Sequence, residues 1–313
     1  YPESGSDVNK LLRAADVAMY KVKKLDPGKF EFFDESLLTA VTREVNIEQS
    51  LHQADMAAEF SLQFQPVVDP NACKVIGFEA LLRWDHPKEG QLLPDLFIPV
   101  MERTHFINPV GAWVVNEACR QLREWHELLN NRYLRVTVNV STRQLLTSDL
   151  TDVVRQALAD HRLQPQHLEL EITETKLMHN AEACASTLRA LRDMGVRIAI
   201  DDFGTGHSSL RYLKALPLNT LKLDKSFAMD LLEHPEDTAI IEGTLLLAHK
   251  LGLSVVAEGI ENLKQAIRLR QLGVDLLQGH LYQRPLSPDA ATDYLLKLNK
   301  RPASKPVMAR AVE

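Results

Sequence analysis

The sequence predicts a (β/α)8 barrel, an α/β fold. From Phe60 onward, eight short apolar strand candidates alternate with helical candidates. Gly195, Gly252 and Gly273 stand where three of those helices should end, as left-handed caps. No Gly-rich dinucleotide fingerprint follows the first strand, which weakens the competing doubly wound open sheet.

The elements follow in order. Ser6 or Asp7 caps a helix that runs to about Lys24, with Leu11, Leu12, Ala15, Ala18 and Met19 as its apolar stripe. Asp26-Pro27-Gly28 stops it, and Lys29-Phe30-Glu31-Phe32-Phe33 alternates like a strand. One helix and one strand cannot enclose a core, so residues 1–33 are expected to pack on something else. Residues 34–50 read as a helical connector. Strand candidates fall near 61–68, 74–84, 134–140, 168–172, 196–201, 219–224, 254–258 and 274–278. Helical candidates occupy 109–128, 149–160, 181–194, 207–214, 236–251, 261–271 and 288–297. Residues 51–300 thus make the barrel, and 301–313, with Pro302 and Pro306, read as a disordered tail.

Composition bounds the function. At 45% hydrophobic and 25% charged residues, the chain reads as a soluble globular protein. A net charge of -6 argues against a polymeric nucleic acid bound over a broad surface. It leaves room for a small phosphate ligand at a local metal site. Cys73, Cys119 and Cys184 show no CxxC spacing, which points to a reducing, cytoplasmic setting without a zinc or disulfide framework. The most apolar run, Ile240 to Ala257, is broken by Glu242, His249 and Lys250, so no bilayer-spanning segment is expected. The chain starts at Tyr1, which suggests a piece of a longer protein whose membrane anchor, if it has one, lies elsewhere.

A barrel of this kind presents its chemistry at the C-terminal ends of its strands. The polar residues there are Asn139, Glu171, Asp201 with Asp202, Lys222 with Asp224, Glu258 and Gln278, and Glu79 lies within an otherwise apolar strand. A strand-end acid often caps the next helix or pairs with a lysine. Seven strands that each deliver a polar residue to one end are harder to explain that way. Glu79, Asn139, Glu171, Asp201, Asp202 and Glu258 are hard oxygen donors, which favours Mg2+ or Mn2+ over Zn2+. With Asp202 as a bridging ligand, such a site suits displacement at phosphorus. Lys222 would orient or deprotonate the attacking water, or serve only as a counter-ion. A glycosidase using two of the carboxylates is the alternative, and it leaves the other acids unexplained.

The Asp201-Asp202-Phe203-Gly204-Thr205-Gly206 stretch belongs to a larger set of motifs. Glu79-Ala80-Leu81-Leu82-Arg83 resembles the signature of the EAL domain family of bacterial cyclic di-GMP phosphodiesterases. The likeness extends through Phe64-Gln65-Pro66, Asn139-Val140-Ser141, Glu171-Ile172-Thr173-Glu174, Leu221-Lys222-Leu223-Asp224, Ala257-Glu258-Gly259-Ile260-Glu261 and Gln278-Gly279, over roughly residues 46–300. It implies a modified barrel with one antiparallel strand, two divalent metal ions, and hydrolysis of cyclic di-GMP to linear pGpG. Catalysis would fall to Glu79, Asp202, Lys222 and Glu258. The metals would be held by Glu79, Asn139, Glu171, Asp201, Asp202 and Glu258. The substrate would meet Gln65, Arg83, Ser141 and Gln278.

The resemblance further implies that Glu174 anchors the loop of Gly204, Thr205, Gly206 and His207, which would couple a homodimer interface to the metals. His207, His280 and Gln283 depart from the usual family residues. An idle receptor for cyclic di-GMP remains the alternative to an enzyme. Residues 1–33, with Ala14-Ala15-Asp16-Val17-Ala18-Met19-Tyr20, resemble the end of a GGDEF (diguanylate cyclase) domain that lacks its cyclase signature. The implied parent is a tandem signalling protein of biofilm-type regulation.

Overall fold

A computed structural model of the chain describes residues 7–25, 30, 32–130, 132–147, 149–204, 210–231 and 235–299. The chain divides into two compact units, one of Tyr1–Phe60 with Trp84–Phe106 and one of Ser61–Arg83 with Ile107–Glu313. Its strands are β1 (Phe60–Asp69), β2 (Lys74–His86), β3 (Gly90–Leu92), β4 (Arg135–Asn139), β5 (Leu168–Thr173), β6 (Arg197–Phe203), β7 (Thr220–Leu223), β8 (Ser254–Ala257) and β9 (Leu276–Gln278).

The larger unit is the barrel. Its strands lie in the order β1-β9-β8-β7-β6-β5-β4-β2, and a β1–β2 pairing closes the ring. The pairings from β2 through β9 around the ring are parallel, whereas β1 is antiparallel to β9. All eight strands expected from the sequence are present, and seven expected helices lie between or after them. Gly195, Gly252 and Gly273 take positive φ of 98°, 75° and 93°, as helix caps require.

The reason for the fold is a two-residue alternation read in register around the ring. On β4, Val136 and Val138 are buried toward the outer helices. On β5 the same is true of Leu168, Leu170 and Ile172, and on β7 of Leu221 and Leu223. Phe78 of β2 packs its ring 4.7 Å from Trp125 of helix Ile107–Leu129, and Phe64 of β1 lies 5.0 Å from the same indole. The opposite parity faces the barrel interior, and there the chain places polar side chains.

The smaller unit has its own core. Helix Glu35–Gln53 is capped by Asp34, whose carboxylate accepts from Leu37 N at 2.7 Å, and it packs on helix Pro94–Thr104. Arg103 joins the two helices by bonding both Glu44 and Glu48. Trp84 stacks on Phe60 with ring centres 5.5 Å apart and donates to Glu59 at 3.0 Å. Helix Val8–Leu25 matches the first sequence expectation. The strand expected at 29–33 does not form at its described residues, Phe30, Phe32 and Phe33. A strand needs a hydrogen-bonding neighbour, and among the described residues none pairs with it. Positions 29 and 31, like the tail at 301–313, lie outside the described residues.

The base of the barrel carries an acid-sensitive pair. His126 is buried with Nε2 2.9 Å from the Leu134 carbonyl, and its ring meets that of His167 edge-on at 4.8 Å. Burial pushes both imidazoles below the usual histidine value. A lowered folded pKa makes the neutral form the stabilised one. The contribution is therefore present above about 6.5, the ordinary histidine value, and is lost as pH falls below it. The urea midpoint should fall as pH drops from neutral to mildly acidic, and His126→Gln, which keeps a donor but cannot take a charge, should flatten that slope. Equal slopes in the two proteins would assign the acid sensitivity elsewhere.

Candidate active site

The interior parity that buries Val136, Leu170 and Leu221 outward turns Asn139, Glu171 and Lys222 inward. The same rule turns Glu79, Asp201, Glu258 and Gln278 inward. Register then sets their height. Asn139 lies opposite Glu171, and Thr173 lies opposite Asp201.

The geometry centres on Lys222. Its Nζ hydrogen-bonds Glu171 and lies against Glu258, at 3.4 Å from Glu79 and 3.5 Å from Asp201. Four strands thus aim carboxylates at one buried ammonium. Glu79 is held on its other sides by Asn139 Nδ2 at 2.7 Å and Gln278 Nε2 at 2.7 Å. Glu171 has no exposure and Lys222 only 4%.

This crowding sets the charge states. Burial, and then the neighbouring carboxylates, push the Glu171 carboxyl well above its usual range, although Lys222 opposes the shift. Burial pushes Glu258 up to about 8. Burial together with Asp201 and Asp224 pushes Asp202 up to about 6. Burial opposes the charge on Lys222, yet the facing acids, Glu171 first, hold its ammonium well above the ordinary lysine value. Four acids around one cation cannot all ionise comfortably without further positive charge. In this arrangement Lys222 is a hydrogen-bond donor.

Asp201 and Asp202 follow each other, yet a regular strand would send them to opposite faces. The pairing of β6 with β7 slips between Ile200 and Phe203, and Asp202 takes φ 54°. Aspartate tolerates this left-handed conformation better than most residues. The turn therefore begins at Asp202 itself, two residues before Gly204. Gly204 N donates to Glu174 Oε2 at 2.9 Å, and Glu174 is fully buried. Thr205, Gly206 and His207 lie outside the described residues.

The other expected residues sit around this cluster. Gln65 accepts from Gln278 Nε2 at 3.2 Å and donates to the Gln283 carbonyl at 3.2 Å. Arg83 is buried and donates to Gln63 at 3.0 Å and to the Leu82 carbonyl at 2.8 Å. Ser141 caps helix Thr142–Leu146 in a reciprocal box with Gln144, so its hydroxyl already serves a structural bond. Asp224 caps helix Lys225–Asp230 through Ser226. Sequence reasoning missed a second polar tier below the acids. There Glu169 pairs with Arg197 at 3.4 Å and accepts from the Thr220 hydroxyl. The signal was available two residues before Glu171 and Lys222, on the same inward parity.

The cluster suits a hard divalent cation. Glu79, Glu171 and Glu258 offer oxygens that lie within 4.8 Å of one another. Among the described residues, Glu171 Oε2 is buried without a hydrogen-bond partner. Among the described residues, Asp201 Oδ1 and Glu258 Oε1 have no hydrogen-bond partner and lie in ion-pair contact with Lys222. All the donors are oxygens, the set that hard cations prefer over zinc.

The EAL domain model matches residues 48–285. This chain belongs to the EAL domain family. Over 307 residues the chain is 40% identical to the cyclic di-GMP phosphodiesterase NbdA of Pseudomonas aeruginosa, covering 98% of this chain and 39% of NbdA. It is 41% identical over 287 residues to the bifunctional diguanylate cyclase/cyclic di-GMP phosphodiesterase MucR of the same organism, covering 91% of this chain and 42% of MucR. The chain thus spans about two-fifths of the length of these curated relatives. The structure of the PaMucR phosphodiesterase in complex with c-di-GMP matches the EAL domain with a TM-score of 0.73 at 43% identity, covering 78% of this chain and 98% of that one.

The raised acids predict how stability responds to cations. A raised folded pKa favours the protonated carboxyl, so its contribution is complete below the unfolded value and is lost as pH rises through the folded one. For Glu258 that window runs from 4.5 to about 8, and for Asp202 from 3.8 to about 6. Stripped of divalent cations, the EAL domain should lose stability from this cluster as pH rises across these windows. Mg2+ should return more at the alkaline end, about 2.7 kcal/mol once it stands a hundredfold above its Kd. Thermal melts with and without Mg2+ across pH would show this, and a Mg2+ gain that does not grow with pH would contradict it.

Proposed function

We propose that this EAL domain hydrolyses cyclic di-GMP to linear pGpG, using two divalent ions, Mg2+ or Mn2+. The observation that supports it most is the convergence of Glu79, Glu171, Asp201 and Glu258 on Lys222 at one end of the barrel. The family membership and the phosphodiesterase names of NbdA and MucR point the same way.

The proposed roles follow from position. Glu79, Asn139, Glu171, Asp201, Asp202 and Glu258 would hold the ions, with Asp202 between them. When bound, such ions acidify a water and neutralise charge on phosphoryl oxygens. Lys222, with its ammonium directed among the acids, orients the attacking water. Gln278 and Asn139 fix the orientation of Glu79 by donating to its two oxygens. Arg83, and Gln65 beside Gln278, face the substrate phosphates and bases. The hydroxyl of Ser141 contributes less, because it is committed to its helix cap.

The wider reading is also ours. Residues 1–33 would be the end of a GGDEF domain, 34–50 the connector, 51–300 the EAL barrel and 301–313 a tail. The domain would act in the cytoplasm of a larger signalling protein, anchored to a membrane or not. Among the described residues, no helix is long and apolar enough to cross a membrane. A homodimer would form through the EAL domain, with Glu174 and the loop after Asp202 coupling it to the ions. Met229, Ile240 and Leu246 are exposed apolar side chains that could take part in such contact.

Purified protein supplied with Mn2+ and cyclic di-GMP should release pGpG. Asp202→Asn should keep the fold, because asparagine tolerates the same left-handed backbone, and should lose several orders of magnitude in turnover. Binding of cyclic di-GMP without any product would instead make the domain a receptor. Near-normal turnover in a folded Asp202→Asn protein would remove the bridging role.

A further inference from the structure

Ligands on loops need rigid backing, because small displacements of a reacting group are costly in rate. In this barrel the backing of two proposed ligands comes from one short helix. Helix Lys225–Asp230 leaves β7 just after Lys222, and Asp224 caps it by accepting from Ser226 N at 3.0 Å.

Two glycines lie against it. Gly204, two residues beyond Asp202, has φ 98°, and a Cβ there would stand 2.6 Å from Cε2 and Cζ of Phe227. Gly259, the residue after Glu258, has φ 67°, and a Cβ there would stand 2.4 Å from Cβ of Lys225. The Phe227 ring therefore fills the space over Gly204, and Lys225 fills the space over Gly259. Both glycines are required twice, by backbone conformation and by closeness. The helix is itself tied down, since its Ala228 carbonyl accepts from Gln265 Nε2 at 2.9 Å. Gln265 also completes the capping box of helix Leu263–Leu272, which follows Glu258 in the chain.

We infer that helix Lys225–Asp230 is the positioning element of the candidate metal centre, with Phe227 as its principal positioning residue. Glu174 holds Gly204 from the N–H side and the Phe227 ring holds it from the Cα side. Together they fix the left-handed turn at Asp202. Lys225 fixes the exit of Glu258 in the same way. Through one helix, the loops of two acids are registered to the strand that carries Lys222. This inference rests on the proposed reading of Asp202 and Glu258 as ligands. Phe227 itself touches no reacting atom.

The test compares the full chain with Phe227→Ala and Phe227→Tyr. Mn2+ binding is read by calorimetry, kcat and KM for cyclic di-GMP at saturating Mn2+ by product release, and the backbone at Asp202 by crystallography. Phe227→Ala should weaken Mn2+ binding and lower kcat by roughly 10–100-fold, as losses behind a metal ligand do, with KM little changed. Its crystal structure should show Asp202 outside the left-handed region. Phe227→Tyr, which keeps the ring, should restore binding and kcat. A folded Phe227→Ala protein with wild-type Mn2+ affinity and kcat, and with Asp202 still left-handed, would overturn the inference. If the alanine variant does not fold, Phe227→Leu carries the same comparison. A wild-type protein that binds no Mn2+ would refute the metal reading instead, while the conformation of Asp202 in the variant would still decide the role of Phe227.

Discussion

Four carboxylates share one buried ammonium, and most of this structure answers to that imbalance. Glu79, Glu171, Asp201 and Glu258 surround Lys222 deep in the barrel mouth. Uncompensated charge at such depth is costly, and a well-made ion pair does little more than offset its own desolvation. An arrangement chosen for stability alone would have used apolar side chains of similar volume. The acid excess makes sense as a site built to receive cations. The orphan oxygen of Glu171 and the upward shifts at Glu171 and Glu258 are the marks of that excess in the protein alone.

The rest of the barrel serves to hold this cluster in place. Parallel strands in register put alternate residues inside, so one phase of the alternation builds the packing against the helices and the other builds the site. Beneath the acids, Glu169 pairs with Arg197, and the Thr220 hydroxyl accepts from Arg197 and donates to Glu169, which carries the polar interior downward. Above, the pairing of β6 with β7 breaks register beside the acids. The slip in β6 and the left-handed Asp202 free the second of two consecutive acids from regular strand alternation. Glu174 and Phe227 hold that step from two directions.

Much of this was legible in the sequence because alternation and strand ends are local signals. Asn139, Glu171, Lys222 and Gln278 each sit at or near the end of an apolar run, and the eight-strand pattern alone brings them to one end. The caps at Gly195, Gly252 and Gly273 were readable for the same reason. The strand expected at 29–33 is not formed at Phe30, Phe32 and Phe33, because alternation states which face a residue takes but not whether a partner strand exists. Several short helices, including Thr142–Leu146 and Lys225–Asp230, escaped notice because a run of five or six residues carries no periodicity to detect. The contacts of Phe227 with Gly204 and of Lys225 with Gly259 were hidden because they depend on where loops from different strands meet.

The central claim is that this acid cluster is a binding site for divalent cations. The most direct measurement is anomalous diffraction at the manganese edge from crystals of the protein grown with Mn2+. The account predicts two peaks about 4 Å apart among Glu79, Asn139, Glu171, Asp201 and Glu258, with Asp202 between them. Density that shows only Lys222 among the carboxylates, with no manganese at any concentration that preserves the crystal, would contradict it.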